Sequence, residues 1–157
     1  MKASWFVAAL VFGACQIGTV ANAAEGALKI GVLNDQSGIY ADFGGKTSVI
    51  AAKMAVEDFG GEVLGRKIEV VDADHTNKPD VAVSIARKWF DTEGVEMITD
   101  LTNSAVALAV QNLAKDKGKV TISTGPFSSA LTNESCSPPA FTGPSTPMPR
   151  RAAWPRA

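Results

Sequence analysis

The residues with the clearest potential for chemistry form an acidic segment that contains the chain's single histidine, Asp72-Ala73-Asp74-His75. Carboxylate and imidazole groups are both common metal ligands, so a metal site is the first hypothesis. Alternate residues of a strand face opposite sides of a sheet, and the sequence has no second histidine to complete a familiar ligand set. The segment therefore favours a polar strand end, and we predict neither a metal nor another cofactor.

The spacing of the serine, histidine and cysteine residues does not support nucleophilic catalysis. A Ser-His-Asp arrangement would have to use His75, and no serine lies in a G-x-S-x-G segment. Cys136 lies between two serines, with no basic neighbour that would activate its thiol. We predict that the chain is not an enzyme.

Residues 34–42 (NDQSGIYAD) place hydroxyls, carboxylates and an aromatic ring directly after an apolar segment. The loop is either a well-formed turn or part of a ligand site. It lacks both G-x-G-x-x-G and G-x-x-x-x-G-K-[ST], the usual signatures of dinucleotide and nucleoside-triphosphate binding. Binding of a nucleotide cofactor is therefore disfavoured.

Asn103-Ser104 stands immediately before a helical pattern. Backbone N–H groups and a hydroxyl at a helix start can receive a carboxylate. Ordinary N-capping uses the same groups. The sequence leaves both interpretations open.

Strands and helices alternate along the chain and position these loops. Strands are predicted at residues 28–33, 67–72, 95–101 and 120–123, and helices at residues 45–59, 79–90 and 105–117. This alternation predicts an α/β fold with a parallel sheet flanked by helices. Ligands of such sheets gather at the carboxyl ends of the strands, here the loops near residues 34–40, 74–77, 102–104 and 124–129.

The N-terminus has the pattern of a secretory signal peptide, residues 1–23, with a basic start, an apolar run at residues 5–14 and a small-x-small site. We expect cleavage after Ala23 and a periplasmic protein. The apolar run is about half the length that a helix needs to cross a bilayer. Cleavage would leave Cys136 as the only cysteine, so we expect no internal disulfide.

The charge balance argues against an anionic partner. Fifteen basic and sixteen acidic side chains give a formal net charge of −1. No basic stripe precedes the C-terminal tail, so we predict no nucleic-acid partner.

Four segments in order resemble the leucine/isoleucine/valine-binding type of solute-binding protein of ABC transporters. They are residues 29–42 (KIGVLNDQSGIYAD), 63–69 (VLGRKIE), 74–80 (DHTNKPD) and 103–106 (NSAV). The resemblance implies a type I periplasmic-binding-protein fold, in which two α/β lobes close on a small ligand. Residues 24–138 would then be a partial N-terminal lobe.

The resemblance also implies a site and a function. The carboxylate and ammonium of an amino acid would be held by hydroxyls and backbone groups, and the matching positions are Tyr40, Asn103, Ser104, Gly125, Phe127 and Ser128. The expected ligand is a branched-chain amino acid or a related small carboxylate or amide, and the expected partner of the full-length relative is a transporter permease. The alternatives are a sensory or regulatory domain of the same fold and a nucleotide-binding α/β enzyme domain.

Composition changes sharply after Cys136, where prolines and arginines dominate, and residues 139–157 are predicted to be disordered. The chain is shorter than half of the family's usual length, so we expect it to bind ligand poorly. Members of the family continue after Cys-Ser-Pro with Thr-Gly-Phe-His-Trp and, shortly afterwards, Asp-Thr-Tyr-Ala. Codons permitted by residues 138–149, read one base earlier, give Thr-Gly-Phe-His-Trp-Thr-Phe-Asp-Thr-Tyr-Ala. We therefore predict that the tail is a frameshifted reading, with a genuine Pro/Arg-rich tail as the alternative.

Overall fold

A computed structural model describes residues 26–143. The predicted signal peptide, residues 1–23, and residues 144–157 of the predicted tail lie outside the described residues. The strands are β1 (Leu28–Asn34), β2 (Glu62–Val63), β3 (Arg66–Asp74), β4 (Val95–Asp100), β5 (Val120–Ser123) and β6 (Ala140–Thr142). The helices are α1 (Gly45–Phe59), α2 (Pro79–Lys88) and α3 (Ser104–Asp116).

The strands form one sheet in the order β2-β3-β1-β4-β5-β6. All pairs are parallel except the β2–β3 hairpin. Because β1 lies between β3 and β4, the loops that follow these three strands meet at one edge of the sheet. The predicted α/β fold with a mostly parallel sheet is confirmed.

Local chemistry defines the helix ends. Pro79 occupies the first turn of α2, where its missing N–H costs nothing. The α2 helix continues into a π-helical turn, Trp89–Glu93, that ends at Gly94 with φ of 72°. Gly60 closes α1 in the same left-handed conformation, with φ of 104°.

The main core lies between the sheet and the pair α2 and α3. Leu33, Ile98, Val106 and Val110 are fully buried there. Trp89 packs so closely on β1 that a Cβ atom at Gly31 would lie 2.4 Å from its Cζ3. Gly31 therefore allows the indole ring to contact the strand backbone.

Among the elements of residues 26–143, only α1 covers the opposite face of the sheet. Two residues of α1 are buried, Gly45 and Val49, and of these only Val49 has a side chain. An open apolar cavity of about 310 Å³ lies between α1 and the sheet, lined among others by Ile30, Val56, Val70 and Met97. This side of the described lobe is incompletely packed.

Two strands differ from the sequence predictions. β2 was not predicted, because two residues between Gly61 and the Leu64-Gly65 turn are too few to show a period. β6 lies inside the tail that was predicted to be disordered from residue 139, so that boundary is wrong for Ala140–Thr142. Pairing with β5, including an N–H···O bond of 2.6 Å from Gly143 to Ser123, orders a segment that has no apolar periodicity.

Within residues 26–143, no helix is long and apolar enough to cross a membrane.

Candidate functional site

The carboxyl edge of the sheet carries a small cavity of about 150 Å³. Its lining residues are Tyr40, Phe43, Thr102, Ser104, Gly125 and Phe127. Four of the six predicted site residues therefore meet here: Tyr40, Ser104, Gly125 and Phe127. They come from three separate loops, which follow β1, β4 and β5.

Ser104 links two of these loops. It is the first residue of α3, and its Oγ accepts a hydrogen bond of 3.2 Å from the N–H of Phe127. A hydroxyl can donate one bond while it accepts others, so the Ser104 O–H remains a donor for a ligand. The N-terminus of α3 adds the positive end of the helix dipole at the same place.

Phe43 is a lining residue that the sequence prediction missed. It lies one position beyond the loop of residues 34–42, and 60% of it is exposed. A Cβ atom at Gly125 would lie 3.1 Å from Phe43 Cε1 and 3.0 Å from Thr102 Cγ2. The sequence signal that could have identified Phe43 is its position directly before Gly44-Gly45. An aromatic ring at such a turn needs a packing partner or a ligand.

Asn103 and Ser128 do not line this cavity. The Asn103 side-chain oxygen accepts from the N–H groups of Ala105 and Val106, at 2.7 and 3.0 Å, and so caps α3. Ser128 caps a short 3-10 turn, Ser129–Leu131, through the N–H of Ala130. For both residues the structure shows capping, the alternative left open for Asn103-Ser104 by the sequence.

A buried polar layer beneath the cavity fixes the loops. Asp100 accepts from Asn34 Nδ2 at 2.8 Å and from Thr124 Oγ1 at 2.7 Å, which joins the ends of β1, β4 and β5. Asp35 accepts from the N–H groups of Gly38 and Tyr40. These bonds fix the shape of the loop that carries Tyr40 and join it to the ends of β4 and β5.

Asp74 and His75, at the end of β3, accept hydrogen bonds from the loops that follow β1 and β3. Burial alone would raise the pKa of Asp74, but hydrogen bonds from Ser37, Thr76 and Gln36 outweigh it, so the pKa is lowered. Burial lowers the pKa of His75 despite the nearby carboxylates of Asp35, Asp74 and Asp100. Among the described residues, no group of three or more histidine, cysteine or acidic side chains could hold a metal ion.

The cavity is suited to binding a small anion with an apolar body. None of its six lining residues carries a charge, and three of them are aromatic. A carboxylate can be received by the Ser104 hydroxyl and the helix dipole, while the rings cover apolar atoms.

A parallel α/β sheet with such a cavity at its carboxyl edge is the arrangement of half a two-lobed binding protein. A family model described as periplasmic binding protein matches residues 27–151. The chain belongs to the periplasmic binding protein family, which confirms the resemblance found in the sequence.

Solved structures give the same result. A periplasmic binding protein from Burkholderia mallei is 49% identical with a TM-score of 0.71, over 73% of this chain and 30% of that chain. A branched-chain amino acid ABC transporter ligand-binding protein from Burkholderia xenovorans is 46% identical with a TM-score of 0.68, over 70% and 29%. A solute-binding protein from Rhodopseudomonas palustris in complex with benzoate is 30% identical with a TM-score of 0.67, over 74% and 32%.

This chain therefore matches about a third of the length of its solved relatives. A search of curated proteins finds no match.

Proposed function

We propose that the chain is the N-terminal lobe of a periplasmic solute-binding protein that delivers a small carboxylate, such as a branched-chain amino acid or an aromatic acid, to an ABC transporter permease. The cavity carries this proposal, because it joins a hydroxyl at a helix N-terminus with Tyr40, Phe43 and Phe127. The names of the relatives, a branched-chain amino acid transporter protein and a benzoate complex, suggest the same ligand class. In this role the complete two-lobed protein binds and releases its ligand and performs no catalysis.

The same geometry supports weak binding by this lobe alone. A complete small-molecule pocket typically measures about 300–1,000 Å³ and buries most of its ligand. The cavity measures about 150 Å³, and Phe127 is 64% exposed at its rim. A second wall would supply the missing contacts.

The test joins residues 24–138 to the remaining length of the Burkholderia mallei relative. Leucine, isoleucine and benzoate are titrated calorimetrically into this chimera and into the present chain. We expect the chimera to bind at least one probe at micromolar concentration and the present chain to bind none measurably. A folded chimera that binds none of the three would contradict the proposed function.

Two variants of the chimera assign the site. Ser104→Ala should weaken binding about tenfold or more, because a hydrogen bond to a charged group is lost. Asn112→Ala, on an exposed position of the same helix, is the matched control and should bind as the unmodified chimera does. Equal affinity in Ser104→Ala and the control would exclude the helix N-terminus as the carboxylate seat.

A further inference from the structure

Two strained turns flank the proposed carboxylate seat. After β3, Thr76 and Asn77 have φ of 48° and 58°, and at the end of β4, Asp100 and Leu101 have φ of 84° and 52°. Residues other than glycine rarely adopt such values, and they persist only where surrounding contacts hold them. The second of these turns leads directly into α3, which begins at Ser104.

The β3 turn is held by His75. Its side chain is fully buried, and its Nδ1 accepts a hydrogen bond of 3.0 Å from the N–H of Asn77. Nδ1 can accept only when it carries no proton, so the imidazole is the neutral tautomer with hydrogen on Nε2. That Nε2 is buried and has no partner among the described residues.

A side-chain hydrogen bond joins the turn after β3 to Asn103, the residue that caps α3. Asn103 Nδ2 donates a bond of 2.6 Å to Asn77 Oδ1. The other end of the Asn103 amide caps the first turn of α3, the turn that begins with Ser104. A continuous series of contacts thus runs from His75 through Asn77 and Asn103 to the proposed carboxylate seat.

We propose that His75 is a positioning residue for the binding site: its neutral imidazole holds Asn77, Asn77 holds Asn103, and protonation of His75 releases this series and loosens the first turn of α3. The link to ligand binding rests on the proposed function, whereas the series of contacts does not. A proton on Nδ1 would face the N–H of Asn77, and two donors cannot bond.

The charged groups around His75 set the direction of the effect. The nearby carboxylates of Asp35, Asp74 and Asp100, at the ends of β1, β3 and β4, favour its protonated form. Burial opposes them and prevails, so the pKa lies below the ordinary value of about 6.5. The first turn of α3 should therefore be firm at neutral pH and loosen only in acid.

Hydrogen–deuterium exchange with mass spectrometry tests this on the whole chain without any ligand. Exchange is compared between about pH 8 and about pH 4, because the pKa of His75 lies below the ordinary value of about 6.5, with correction for intrinsic rates. The N–H groups of Asn77, Ala105 and Val106 should lose about fivefold to tenfold of their protection in acid, the factor expected for one lost hydrogen bond. The N–H groups in the middle of α3 should not change by this factor.

Two matched variants distinguish a role of His75 as a hydrogen-bond acceptor from a role in packing alone. His75→Asn keeps an oxygen acceptor near the place of Nδ1 and cannot be protonated in this range, so its protection should be independent of pH. His75→Leu has a similar branched shape without an acceptor, so it should show the acid pattern at both pH values. Identical behaviour of these two variants, or protection in the wild type that does not change with pH, would overturn the proposal.

If replacing His75 unfolds the chain, a second pair of variants, at Asn77, tests the same series of contacts. Asn77→Asp retains an oxygen for Asn103, whereas Asn77→Gly relieves the positive φ but removes the contact. Asn77→Gly alone should expose the N–H groups of Ala105 and Val106, and equal protection in both variants would contradict the series. Since no ligand is present, failure of the chimera to bind would leave these results unaffected.

Discussion

At the residue scale, Asp72 and Asp74 lie on the same face of β3 but differ in the hydrogen bonds that they accept. Asp74 accepts from the N–H groups of Gln36 and Thr76, at 3.1 and 2.7 Å, and from Ser37 Oγ at 2.5 Å. Asp72 accepts a single bond of 3.1 Å from Gln36 Nε2 on the surface. Asp74 therefore joins the loop after β1 to the turn after β3, whereas Asp72 contributes one exposed contact.

We expect Asp74→Asn to lower the free energy of unfolding at neutral pH more than Asp72→Asn does. Hydrogen bonds lower the pKa of folded Asp74, so its stabilisation is present above the unfolded value of about 3.9 and is lost as pH falls through the folded value. The difference between wild type and Asp74→Asn should therefore shrink below about pH 4. Urea unfolding across pH measures this, and a difference that grows in acid would refute it.

At the element scale, the π-helical turn after α2 packs on β1 at Gly31, a residue without a side chain. The Trp89 ring, only 5% exposed, occupies the space in which Gly31 would carry a Cβ. The sequence pattern of α2 continued through Trp89-Phe90, and the structure shows why this is so. Trp89 and Phe90 both enter the core, which extends the helical segment to Gly94.

Gly31→Ala should lower the free energy of unfolding by about 1–3 kcal/mol, the usual cost of overpacking a core. Trp89→Leu provides the matched background, because a smaller side chain makes room for the new methyl group. Gly31→Ala should cost clearly less in that background, as measured by a double-mutant cycle in urea. Strictly additive effects would show that the contact between the ring and the strand is not the cause.

At the scale of the whole molecule, the two faces of the sheet are unequally covered. α2, α3 and the turn at Trp89 bury one face, whereas α1 leaves Ile50 and Met54 more than half exposed. These two side chains are one helical turn apart and form an exposed apolar stripe on α1. Exposed stripes of this kind promote association.

We expect the chain to self-associate through this stripe as its concentration rises. Ile50→Lys with Met54→Lys should shift the sedimentation velocity distribution towards monomer. Glu57→Gln with Asp58→Asn changes the net charge equally on exposed positions of the same helix and is the control. Equal effects of the two pairs would indicate that charge, and not the apolar stripe, governs association.

The frameshift in the tail stays a prediction, and β6 does not test it. Resequencing the gene across the codons of residues 137–139 should reveal one missing base, after which an open frame encodes the second lobe. The physical expectation is that the restored frame supplies the wall that the cavity lacks. A continuous reading through residue 157 with no open second frame would refute the frameshift.

The sequence by itself determined the alternation of strands and helices, because apolar periodicity, the helix stop at Gly60 and the helix start at Pro79 are local signals. The resemblance to solute-binding proteins implied Tyr40, Ser104, Gly125 and Phe127 as site residues, and these four line one cavity because their segments follow parallel strands. Only the tertiary structure decided the position of Phe43, the pairing of β6 with β5, and the contact between Asn77 and Asn103. These depend on residues far apart in the chain, and neither spacing nor composition encodes which distant side chains come within hydrogen-bonding distance.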